Sequence, residues 1–199
     1  MPETTRNGAA GLRRLLIAVL LVSAAALGYE ILLMRMLSIV QWHHFAWMVI
    51  SLALLGYGAS GTFLAFLQSR LLKHYPLALL SNLALFGLTA MPSFLLAQRI
   101  PFNPEEMLWN WREPVRLMSI YLLLSLPFFF AANAIALTFS SFSRTITRVY
   151  AYDLFGAGVG SLAVILILYV MPPLWTLSLA SALGMACMAV AAWELRLSK

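Results

Sequence analysis

Residues 14–39 read RLLIAVLLVSAAALGYEILLMRMLSI. A helix needs roughly 20 apolar residues to cross a hydrocarbon core of about 30 Å, and this run supplies more than that. Polar and apolar positions do not alternate along it, so it reads as a helix and not as a strand of a membrane barrel. The Arg13-Arg14 pair ahead of it mimics the opening of a signal peptide. The apolar run is too long for such a segment and no clear cleavage site follows, so it is expected to be retained.

Working outward, five further apolar runs lie at about 45–67, 76–97, 116–141, 149–170 and 174–193. Six spans predict an all-α fold, a polytopic integral membrane helical bundle occupying residues 12–199 behind a flexible polar tail at residues 1–11. Composition demands the same solvent. Hydrophobic residues make up 62% of the chain and charged residues 10%, at a mean hydropathy of +0.88. The 7 acidic residues among 199 could not cover a soluble domain, so the excess apolar surface is expected to face membrane lipid.

The basic residues give the bundle a direction. Arg6, Arg13 and Arg14 precede the first span, Arg70 and Lys73 follow the second, Arg144 and Arg148 follow the fourth, and Arg196 and Lys199 close the sequence. All fall on one face, which the positive-inside rule makes cytoplasmic along with both termini. On the opposite face the longest loop, residues 98–115, and its edge balance Arg99, Arg112 and Arg116 against Glu105, Glu106 and Glu113. Trp42, Trp47, Trp109, Trp111 and Trp175 gather at that end of the spans like an aromatic belt. Its stretch PFNPEEMLWNWREP, residues 101–114, reads as an interfacial helix or lid, or as a simple amphipathic connector. The net charge of +6 is scattered between apolar runs and forms no basic stripe, so nucleic acid is not an expected partner. A single cysteine, Cys187, leaves no intrachain disulfide or cysteine metal site.

Ionisable groups inside a span cost at least about 2.5 kcal/mol each on insertion scales, so they need a partner, a cavity or a purpose. Glu30, Arg35 and Asp153 are such groups, and Asn133 adds a polar amide. Glu30 and Arg35 stand about 140° apart on an ideal helix, which disfavours their direct pairing. Glu30 therefore reads either as a packing residue bonded to another helix or as a proton or substrate site. Asn133 and Asp153 sit at similar depth in successive spans, and a hydrogen bond between them is expected. Gly56, Gly58 and Gly61 in the second span, with Gly156 and Gly160 in the fifth, are expected to let helices approach closely. His43 and His44 stand at the outer face as a possible contact for haem, a pigment or a partner chain. Neighbouring histidines point about 100° apart on a helix, and no third ligand lies on that side, so no metal site is expected.

Two stretches carry a resemblance: AALGYEILLMRMLSIVQWHHFAWMVISLALLGYGASG at 25–61 and YAYDLFGAGVGSL at 150–162. They resemble the membrane region of bacterial membrane-bound spermidine synthase-like proteins, matching at Tyr29, Glu30 and Arg35, at Gly56 to Gly61, and at Tyr150, Asp153, Leu154 and Gly156. The resemblance implies the bacterial inner membrane. It also implies a soluble domain binding S-adenosylmethionine or its decarboxylated form, which these 199 residues do not contain. No catalytic constellation is present here, so the chain is not expected to be an enzyme on its own, and no cofactor is predicted. The expected role is an anchor, scaffold or small-molecule-binding subunit of a larger membrane assembly, working with other protein chains or as an oligomer. A transporter or channel for a polyamine-like cation and a subunit of an electron-transfer complex are the alternatives.

Overall fold

The computed structural model describes residues 3–40 and 44–197. The described residues form six α-helices: α1 (Glu3–Val40), α2 (His44–Lys73), α3 (Tyr75–Ala97), α4 (Arg112–Ser141), α5 (Ile146–Val170) and α6 (Pro173–Leu197). Single 3-10 turns occur at Pro104–Glu106 and Ser143–Thr145, and no strand occurs among these residues. Each of the six helices is long and apolar enough to cross a membrane, and the protein is an all-α, multi-pass helical bundle.

Residues 3–11, expected as a frayed tail, are helical and continue α1 towards the N-terminus. The stretch holds no proline after Pro2, and its Ala9-Ala10 pair favours helix. The other boundaries follow local chemistry. Met171 takes an extended conformation (φ −119°, ψ 145°) because it precedes Pro172, and the α-region is crowded before a proline. α3 carries Pro76 in its first turn, where the missing N–H has no helical partner to lose. Pro127 lies inside α4 and is buried, so the carbonyl one turn earlier loses its helical donor there.

Helix α1 is the hub, packing extensively on α5 and α6 and also touching α2 and α4. It is the most buried of the six spans, and α5 is the least. α3 closes the far side by packing on α4 and α6. Two of the apolar clusters in the interior are large. One surrounds Tyr29, Leu33, Leu52, Phe94, Leu124 and Phe128, and the other Leu15, Val22, Leu83, Phe86, Ala131 and Cys187. Large side chains cover the outside, with Phe66 at 81% exposure and Tyr169 at 86%, as surfaces in lipid require.

Small residues set the helix seams. Gly156 lies against the backbone of Leu20 and Gly160 against that of Ala24, so α5 rides directly on α1. A Cβ on Gly56 would stand 2.7 Å from the Phe128 Cβ, which closes α2 onto α4. Gly58 and Gly61 make no such seam and have nothing within 4 Å of an added Cβ. The packed face of α2 carries Gly56, Ser60 and Leu64 at one-turn spacing, all buried, and positions 58 and 61 lie off that face.

Candidate functional site

Ser23, Leu27 and Glu30 follow one another along a single face of α1, spaced four and three residues apart. Beside that face α2 and α4 stand on one side and α5 on the other. α5 meets α4 only sparsely and scarcely touches α2, so a cleft stays open between them over α1. It holds a cavity of about 320 Å³.

The polar groups on its walls are Ser23 from α1, Tyr57 from α2 and Asp153 from α5. The Gly156 and Gly160 seam draws α5 onto α1 one turn beyond Asp153 and sets the carboxylate against Ser23. The Ser23 hydroxyl donates to Asp153 Oδ1 and also lies 2.9 Å from the Val19 carbonyl oxygen. Asp153 itself is half-buried. Tyr57 stands at the lip, 36% exposed, with its ring edge-on to Phe128 at 5.9 Å between centroids. Asp153 is the acidic side chain on the cavity wall.

Glu30 lies about 10 Å further along α1 than Ser23 at 1.5 Å per residue. It is half-buried and makes no hydrogen bond or ion pair among the described residues. Arg35 is exposed and pairs with neither carboxylate there. The cavity thus has one acidic lining group, Asp153, and no basic lining group among the described residues. Its apolar walls include Leu27, Ile135 and Phe139, and Ala132, Ala136 and Ala157 keep those walls low.

Asn133 does not belong to the cleft, and the hydrogen bond expected between it and Asp153 does not form. Asn133 Oδ1 instead accepts from the Ser60 hydroxyl at 2.8 Å. α5 is docked on α1, so Asp153 meets Ser23, and Asn133 is taken by Ser60 of α2. The Asn133 amide is 1% exposed, and its Nδ2 has no partner. His43 lies outside the described residues, as does the side chain of His44, whose backbone opens α2. No group of three or more His, Cys, Asp or Glu is placed to hold a metal among the described residues.

A second polar structure braces the loop between α3 and α4. Glu113 is fully buried at the start of α4. Its Oε2 accepts the Asn103 backbone N–H at 2.9 Å, and its Oε1 pairs with Arg116 at 2.5 Å. Asn103 and Asn110 both donate side-chain N–H groups to Glu106, and the Trp109 indole donates to the Glu105 carbonyl oxygen. Only Glu113 of these polar groups is buried, and Leu108, Trp109 and Trp111 stand out at 86%, 82% and 74% exposure.

Sequence reasoning did not single out Ser23, Tyr57, Ser60 or Glu113 as site or anchoring residues. Ser23 had a signal, since it is a polar break in an apolar run on the same helix face as Glu30. The partnership of Ser60 with Asn133 had none, because it depends on which helices become neighbours. No protein-family model, curated protein or solved structure matches the chain.

Proposed function

We propose that the protein is a membrane-embedded module that binds a small organic cation in the cleft over α1, with Asp153 as the counter-charge. One observation carries this reading: the half-buried Asp153 carboxylate lines a cavity of about 320 Å³, with no basic side chain paired to it among the described residues. An ionised carboxylate at this depth is costly in hydrocarbon, and a bound ammonium group would offset that cost through charge and hydrogen bonding. Tyr57 adds an aromatic face and a hydroxyl at the entrance, both suited to an ammonium group.

The reading is compatible with a polyamine-like ligand and with the resemblance at Tyr29 to Arg35 and Tyr150 to Gly156. In this role the module either delivers its ligand to a separate chain or passes it across the bilayer. The face rich in Arg and Lys would be cytoplasmic, in a bacterial inner membrane. Asp153→Asn removes the charge at nearly constant shape. In lipid nanodiscs its affinity for an alkylammonium ion should fall at least tenfold by calorimetry, with helical content and assembly unchanged. Wild-type affinity in a folded Asp153→Asn protein would sink the proposal.

A further inference from the structure

The cavity is lined by a single carboxylate, Asp153, and two hydroxyls, Ser23 and Tyr57, in an otherwise apolar wall. Its α5 and α2 walls scarcely touch, and both helices lie in the apolar belt of the bundle. Tyr57, on the α2 wall, is 36% exposed at the edge of the cavity. Within the cavity Ser23, Tyr57 and Asp153 form one polar group, and every other lining side chain is apolar. Leu27, Ile135 and Phe139 supply the larger apolar side chains of that surface, and four alanines leave room beside them. A ligand filling this space would meet one charge, two hydroxyls and otherwise hydrocarbon.

Resting on the cation-binding reading, we infer that the ligand is an amphiphilic amine, one cationic head on an alkyl chain, which enters from the bilayer between α2 and α5. Its ammonium group sits at Asp153 with the Ser23 and Tyr57 hydroxyls beside it. Its chain lies along Leu27, Ile135 and Phe139. Charge complementarity selects the head against alcohols and anionic amphiphiles, whose heads bring no positive charge to the carboxylate. The apolar walls select the tail against short, doubly charged amines, which would have to strip a second ammonium of water beside hydrocarbon.

The test uses the full chain in lipid nanodiscs and a dodecylamine carrying a photoreactive diazirine in its tail. Illumination should label the cleft segments 132–139 and 153–157, read by peptide mass spectrometry. Excess dodecylamine should abolish this labelling, whereas excess dodecanol or butane-1,4-diamine should leave it within twofold. Asp153→Asn should lower labelling of these segments at least tenfold. Ala157→Phe, which fills the cavity from a half-buried position without removing a charge, should do the same. Equal or better competition by butane-1,4-diamine would overturn the amphiphile and leave the cation reading standing. Labelling of the cleft that is unchanged in both variants, or confined to lipid-facing residues, would overturn both.

Discussion

At the scale of single residues, two buried contacts show how differently polar and small groups stabilise a bundle in lipid. Gly160 has the Ala24 backbone where a side chain would go, so Gly160→Leu must push α5 off α1. Overpacking of this kind costs about 1–3 kcal/mol or more, and unfolding in mixed micelles should show it, with Gly58→Ala unchanged because nothing lies within 4 Å there. A large loss for Gly58→Ala would mean that α2 packs on something outside this bundle. Ser60 and Asn133 pose the opposite case. Ser60→Ala leaves the buried Asn133 amide without any partner and should cost about 1–2 kcal/mol. Adding Asn133→Leu should restore most of that loss, since removing both members of a buried pair is nearly neutral. Further loss in the double variant would show that the Asn133 amide has work beyond packing.

At the scale of elements, the six spans were legible because a membrane helix advertises itself locally, through length and apolar content. Their neighbours were not. Depth along the bilayer can be counted from the sequence, and that count put Asn133 and Asp153 at similar depth. Azimuth cannot be counted in the same way, and the docking of α5 on α1 through Gly156 and Gly160 decided that Asp153 meets Ser23. The glycine pattern showed which helices could approach closely without naming what they approach. The loop between α3 and α4 was legible only as amphipathic. Its order depends on Glu113, whose burial follows from tertiary contacts at the head of α4. Glu113→Ala frees the Asn103 N–H and the Arg116 guanidinium together. Amide hydrogen exchange over residues 103–111 should then rise at least tenfold, equivalent to about 1.4 kcal/mol at 25 °C, with exchange in the spans unchanged. Protection retained in that variant would assign the loop's order to its Asn and Glu106 bonds alone.

At the scale of the whole molecule, one helix holds the bundle together. α1 touches α2, α4, α5 and α6, and its exposed polar stripe becomes a wall of the cleft only when the later helices surround it. Ser23 and Asp153 are 130 residues apart in the chain. At a synthesis rate of about 5–20 residues per second, roughly 7–26 s separate the appearance of the two. During that time α1 offers Ser23 and Glu30 to whatever surrounds it, and bare hydrocarbon is a poor host for a carboxylate. The hub of the finished protein is therefore its most dependent part during biogenesis. Chains arrested before α5 emerges should keep α1 crosslinked to the insertion machinery, and full-length chains should release it. Early release into lipid in the arrested chains would show that α1 needs no such shelter.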